Sequence, residues 1–298
     1  MEQKINDFIV VPPKPKGGKR QKALGYKLFE EPYPNIFLCA QKKSGKTSVI
    51  ANILEQCAGP ETHVYVFCST VNKDSTWTDH IFPMLDKKEI SYEKHEHFIE
   101  DGRNLIRDFL EEQRAKAKLL EEQEEERKRR EEMTKNKKKE KTIVFGGMKW
   151  DIDKAPLAAK EEEKASLSRP KKKKEKYLAP EFIFVFDDLG KAMRNMAIDQ
   201  LVKTNRHFKM KVILSGQFIL DISPEAIRQI DYLLIFGGIP REKLKQLHDR
   251  ITFTGTYESM QKMYDYATEK QYNFLYMRMG KEDELRKNFN FRLDPTKF

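Results

Sequence analysis

The stretch from Ile36 to Leu54 constrains this chain more than any other. An apolar run, Ile36-Phe37-Leu38-Cys39, leads directly into Ala40-Gln41-Lys42-Lys43-Ser44-Gly45-Lys46-Thr47. A helix-like run, Ser48-Val49-Ile50-Ala51-Asn52-Ile53-Leu54, follows without a break. Strand, tight loop ending in Gly-Lys-Thr, then helix is the layout of a phosphate-binding P-loop. The amides of such a loop and the N-terminus of the helix behind it present partial positive charge to phosphates. Residues Ala40, Gln41, Lys42, Lys43, Ser44, Gly45, Lys46, Thr47 and Ser48 are therefore the predicted nucleotide cradle. In it Lys46 faces the β- and γ-phosphates of ATP and the Thr47 hydroxyl serves Mg²⁺. The first position of the pattern holds Ala40 rather than glycine, the smallest departure available there.

Further apolar runs alternate with helical patterns. Strands are predicted at His63–Cys68, 181–186, 211–217, Tyr232–Phe236 and 272–277, and helices at 193–208, 224–229, 241–250 and 257–268. Short, uninterrupted apolar strands alternating with helices indicate a mostly parallel sheet covered on both faces. The expected fold class is α/β, a P-loop NTPase with a RecA-like sheet flanked by helices. No internal repeat is found.

A long charged insert interrupts that alternation. Charged residues make up 35% of the 298 and hydrophobic ones 39%, so part of the chain must lie outside a core. The composition assigns 1–34 to a basic N-terminal tail, 35–71 and 180–298 to the ATPase core, and 72–179 to the insert. Within the insert, 92–132 is predicted helical, with acidic residues preceding basic ones at i, i+4 spacing. Residues 133–177 are predicted mostly disordered, including the lysine run 170–174, which is similar to a nuclear-import signal. The net charge of +10 favours a polyanionic partner such as nucleic acid, but it also suits a basic protein kept soluble by its charge. The three cysteines, Cys39, Cys57 and Cys68, lack metal-ligand spacing and read as reduced, buried thiols of an intracellular, non-secreted protein. No apolar run approaches the ~20 residues of a membrane span, and no signal-peptide core is seen.

The strand before Asp187-Asp188 is similar to a Walker B element, which delivers a carboxylate to the edge where parallel sheets bind ligands. Asp187 is placed in the Mg²⁺ shell, and Asp188 is placed to orient or deprotonate the attacking water. Gln217, at the tip of the following strand, either reports on the γ-phosphate or simply caps the strand. Arg206 and Arg228 are each either an arginine finger reaching a neighbour's ATP or a plain surface arginine. A strand between P-loop and Walker B, with a polar-tipped strand after it, fits the division of RecA-like and AAA+ motors better than the kinase–GTPase division.

The segments LCAQKKSGKTSVI, FIFVFDDL, TNRH, VILSGQ and ISPEAIRQIDYLLIF resemble the poxvirus-type genome-packaging ATPases of large DNA viruses and their relatives, within the FtsK–HerA group of DNA-pumping motors. The resemblance covers about a third of the chain; Ala40 and the charged insert depart from it. It implies a ring-shaped homo-oligomer that hydrolyses ATP and threads double-stranded DNA of any sequence into a preformed capsid. The partners would be a capsid protein or portal-like vertex. The setting would be a virus-infected host cell, in a cytoplasmic factory or the nucleus, and the virion as a further location. Lysines of the insert and of the tail, Lys14 to Lys22, would then track phosphates. Two other classes stay open: a P-loop kinase, and an ATP-switched interaction protein with basic arms.

Overall fold

The computed structural model describes residues 21–140, 142–145, 148–151, 177–251, 253–280 and 284–298. Nine strands form one sheet: β1 Asn35–Cys39, β2 His63–Cys68, β3 Ser91–His95, β4 Phe182–Asp187, β5 Met210–Gly216, β6 Tyr232–Phe236, β7 Phe274–Arg278, β8 Glu284–Lys287 and β9 Phe291–Leu293. Their order is β9-β8-β7-β6-β1-β5-β4-β2-β3. The six strands from β6 to β3 run parallel, and β7, β8 and β9 extend the sheet as antiparallel neighbours. This is the predicted α/β fold. The P-loop strand β1 and the Asp187 strand β4 are separated by β5 alone.

Alternation along each strand divides the core in two. Phe37, Phe184, Phe186 and Leu214 face one side, where α4 (Met196–Thr204), α5 (Arg241–His248) and α6 (Tyr257–Ala267) pack. Ile36, Leu38, Ile183 and Val185 face the other, against α1 (Lys46–Cys57) and α2 (Phe82–Lys87). Every residue of β1 is buried, which is why its run shows no polar alternation. The start of β1 is fixed by Asn35, whose Nδ2 donates to the carbonyls of Val202 and Gln229 (2.8 Å each) and whose N–H donates to Asp231 Oδ2 (2.8 Å). Asn35→Ala leaves one buried and one partly buried carbonyl without this donor. It should lower stability by about 1–3 kcal/mol, read as a lower urea midpoint at unchanged slope.

Three expectations are corrected. Residues 22–34 are not part of a tail: Leu28 and Phe29 are buried, and the Phe29 ring meets Tyr232, Tyr276 and Phe289 at centroid distances of 4.8, 6.2 and 5.8 Å. Lys211 on β5 is also fully buried, with its Nζ 5.0 Å from that ring's centroid. A single apolar pair within a basic segment is too short to register as a pattern. Residues 1–20, which hold most of the tail's lysines, lie outside the described residues.

The insert also begins later than 72. Val71, Trp77, Ile81, Phe82, Leu85, Ile90, Phe98, Ile106, Phe109 and Leu110 are all buried in the core. Finally, helix does not begin at 92. Ser91–His95 is the parallel edge strand β3, followed by a small ribbon, Ile99–Glu100 with Arg103–Asn104. The polar sequence SYEKH suits an edge, where charge discourages pairing with another chain.

Helix α3 (Leu105–Glu140) then runs 36 residues, past the predicted end at 132. At 1.5 Å per residue it spans about 54 Å. Only its first turns touch the core; Leu119, Leu120 and Met133 are exposed. The exposed length carries i, i+4 pairs such as Glu112–Lys116 and Glu126–Arg130. Of the stretch predicted to lack order, Thr142–Phe145 and Met148–Asp151 pair antiparallel, while 152–176, with the lysine run, lies outside the described residues.

Candidate active site

Parallel strands end together, so the C-terminal tips of β1, β4 and β5 bring the predicted site residues to one edge of the sheet. Ala40 is wholly buried and its N–H donates to the Gly216 carbonyl at 2.9 Å, joining the P-loop to the tip of β5. Its methyl lies in the core, which accounts for an alanine at this position. The loop then turns sharply. Lys43 and Gly45 hold φ of 63° and 88°, and Ser44 Oγ donates to the Gln41 carbonyl at 2.7 Å. Gly45 is required twice over, by its left-handed φ and because a Cβ there would lie 3.0 Å from the ring of Tyr272. It leads straight into α1, whose first two residues, Lys46 and Thr47, are buried.

Lys46 meets both predicted carboxylates. Its Nζ lies 2.7 Å from Asp187 Oδ1 and also contacts Asp188 Oδ1. Burial alone would push the Lys46 ammonium down, but the Asp187 and Asp188 charges outweigh it and hold the group above its ordinary value. Asp188 sits at φ 54°, unusual for a residue other than glycine, and its carbonyl accepts from Ser69 Oγ at 3.0 Å. The tip of β2 thereby braces the strained residue. Asp187 Oδ2 is buried without a hydrogen-bond partner.

That orphan carboxylate oxygen, together with the Thr47 hydroxyl on the first turn of α1, is donor chemistry that fits a hydrated magnesium ion. No group of three or more His, Cys, Asp and Glu suited to a metal exists among the described residues. A Mg²⁺ at a P-loop does not need one, because phosphates and waters complete its shell.

Gln217 follows β5 and lines a cavity of about 450 Å³ together with Lys42, Ser69, Thr70, Asp188 and Lys191. Its own backbone is capped from elsewhere: Asp221 Oδ2 accepts the N–H groups of Gln217 (2.8 Å) and Phe218 (2.9 Å). A Cβ on Gly216 would lie 2.9 Å from that same oxygen, so the Ser-Gly-Gln sequence allows the carboxylate to close over the strand tip. The capping role therefore falls to Asp221, and the Gln217 side chain is not needed for it. Asp221, Ser69 and Lys191 were not singled out in the sequence. Only the residue spacing Gln217-x-x-x-Asp221 offered a signal.

Arg206 and Arg228 are not brought into this site. Arg206 pairs with Asp231 Oδ1 (2.6 Å), just ahead of β6 and beside the start of β1, at the opposite edge of the sheet. Arg228 pairs with Glu225 (2.7 Å) and lines another cavity, about 530 Å³, with Asp231, Arg250 and apolar residues. That larger cavity contains none of the P-loop residues, nor either carboxylate after β4. All three cysteines are free and buried; burial pushes the Cys39 thiol up to about 12 and the Cys68 thiol up to about 11, so neither is a nucleophile here.

No family profile and no curated protein matches the chain significantly. Among solved structures it is similar to the genome-packaging NTPase B204 from Sulfolobus turreted icosahedral virus 2 in complex with ATP-gammaS. The identity there is 16%, covering 86% of this chain and 97% of that one, with a TM-score of 0.45. It is also similar to the cytoplasmic domain of the type VII secretion ATPase EccC from Thermomonospora curvata, with 11% identity, 87% and 25% coverage and a TM-score of 0.41. ATPases 2 and 3 of EssC from Geobacillus thermodenitrificans give 13% identity, 88% and 38% coverage and a TM-score of 0.37.

Proposed function

We propose that this chain is an ATP-driven translocase of double-stranded DNA that packages a viral genome into a preformed capsid. The observation that carries the ATPase part is the meeting of Lys46 with Asp187 and Asp188 at the edge where Gln217 lines the adjoining cavity. The packaging part rests on the sequence motifs shared with the FtsK–HerA group. Under this reading, Lys46 exchanges its carboxylate partners for phosphate oxygens when ATP enters. Asp188 is then free to hold the attacking water and take its proton. Thr47 and Asp187 would hold Mg²⁺, which neutralises charge on the β- and γ-phosphates. Gln217, which lines the same cavity as Asp188, would sense the water or the γ-phosphate.

DNA would be held by phosphate contacts alone, from the exposed basic residues of α3, such as Arg127 to Arg130, and from the basic segments beyond the described residues. A capsid or portal-like vertex would anchor a ring of identical subunits in an infected cell. Among the described residues no helix is long and apolar enough to cross a membrane.

Duplex DNA of arbitrary sequence should stimulate ATP hydrolysis, and the logarithm of its affinity should fall with log salt at about −0.9 per phosphate neutralised. Phosphate-release assays from 50 to 200 mM salt measure it. Stimulation by one sequence only, or none at low salt, would favour an ATP-switched interaction protein. Transfer of the γ-phosphoryl group to a second substrate would favour a kinase.

A further inference from the structure

Strand β7 runs antiparallel to β6, so the turn ahead of it returns to the edge that carries the P-loop. Tyr272 occupies that turn. It is 60% exposed, holds φ at 68°, and its ring covers Gly45, the added Cβ of which would lie 3.0 Å from Tyr272 Cδ1 and 3.5 Å from its Cβ. A bulky residue in the left-handed region is uncommon, and such strain persists only where the surroundings fix it. They do so here. The Asn273 N–H donates to the Lys270 carbonyl (3.2 Å), and Asn288 Nδ2 donates to Asn273 Oδ1 (2.9 Å). Asn288 also exchanges hydrogen bonds with Phe274, accepting its N–H at Oδ1 (3.0 Å) and donating to its carbonyl (2.9 Å). The backbone that carries Tyr272 is thus fixed, and its ring stands against the phosphate loop while open to solvent.

The direction of a bound nucleotide follows from the sheet order. Asp188 and Gln217 mark the γ-phosphate end, on the β5 and β4 side of β1. An extended nucleotide therefore carries its base toward β6 and β7, where Tyr272 stands. Between them Gly238, at φ 87°, carries no side chain, and a Cβ there would meet Gln41 Oε1 at 3.5 Å. The exposed ring of Tyr272 suits stacking on a planar heterocycle.

We infer that Tyr272 stacks on the base of the bound nucleoside triphosphate and gives the site a preference for purines. Purines gain most because stacking grows with ring area. The inference rests on the nucleotide reading of the P-loop. Alanine substitution of a base-stacking aromatic weakens binding roughly 5- to 150-fold.

The test is calorimetric titration of the full chain with ATP, CTP and inorganic tripolyphosphate, in wild type, Tyr272→Ala and Tyr272→Phe. ATP should bind wild type more tightly than CTP does. Tyr272→Ala should weaken ATP by the stated factor and leave tripolyphosphate unchanged, while Tyr272→Phe keeps wild-type affinity. Unchanged ATP binding in Tyr272→Ala would overturn the inference, with the nucleotide reading intact. So would an equal loss for tripolyphosphate, because the ring would then only shape the loop. If wild type bound neither ATP nor tripolyphosphate, the nucleotide reading itself would fall.

Discussion

Lys46→Ala is expected to abolish ATP hydrolysis and, independently, to lower the stability of the folded chain. Both effects come from one contact. Among the described residues Lys46 is the only full positive charge paired with Asp187, which is 1% exposed and already has one oxygen without a partner. Removing one member of a buried ion pair costs about 3–5 kcal/mol, because the remaining charge is left uncompensated. Lost activity in the single mutant is therefore ambiguous until its folding is measured. The variant Lys46→Met with Asp187→Asn removes both charges at nearly constant volume. It should regain most of the urea midpoint yet hydrolyse nothing. Asp188→Asn should behave differently again, binding ATP but losing about 10²–10⁴ in rate, the usual worth of a positioned base. Asparagine tolerates the left-handed φ at 188, so the backbone stays as it is. The raised pKa of Lys46 keeps the ion pair's stabilisation fully present below the ammonium's ordinary 10.5; it is lost only as pH climbs through the higher folded value. Activity changes between pH 6 and 9 must then come from other groups. Normal turnover by Lys46→Ala would end the ATPase reading.

What the sequence made legible follows from how each element is buried. Strands β1, β2, β4, β5 and β6 lie inside a parallel sheet, so each reads as an unbroken apolar run and was placed within a residue or two. Strands β3, β8 and β9 are short, with exposed or half-buried positions and mixed sequences, SYEKH, ELRK and FRL, which carry no periodic signal. The first of them was absorbed into a helix because its charges resemble those of α3. The site shows the same division. Lys46, Thr47, Asp187 and Asp188 were legible because a loop and a strand end fix them locally. Asp221 caps the strand tip from four residues on, so only its spacing from Gln217 hinted at it. Tyr272 reaches the edge through tertiary folding, by covering Gly45, and no spacing within its own segment could announce it.

A ring of these subunits should show trans-acting chemistry, with Arg228→Ala losing about 10³–10⁵ in rate. The reason lies in charge. Lys46, Asp188 and Gln217 account for phosphate binding, water and sensing, and Lys42 and Lys191 line the same cavity, but among the described residues no arginine does, so a bidentate guanidinium for the γ-phosphoryl oxygens has to come from a neighbour. Both candidate arginines lie away from their own P-loop, so either can act only on a neighbour. Their tethers differ. Arg206 is bound to Asp231, a half-hidden carboxylate that also holds the Asn35 N–H, so freeing Arg206 would loosen the start of β1. Arg228 is bound to Glu225 in an exposed i, i+3 pair, which solvent screening leaves weak. Arg228 can leave its partner at little cost, which puts it ahead. The decisive measurement mixes Arg228→Ala subunits with Asp188→Asn subunits, each inactive alone. In a head-to-tail ring with random order, about a quarter of interfaces join an intact site to an intact arginine. The mixture should recover up to that share of wild-type turnover, and specific activity of the unmixed protein should rise with its concentration. Recovery with Arg206→Ala in place of Arg228→Ala would move the role to Arg206. Silence in both mixtures would leave the trans-acting arginine without support.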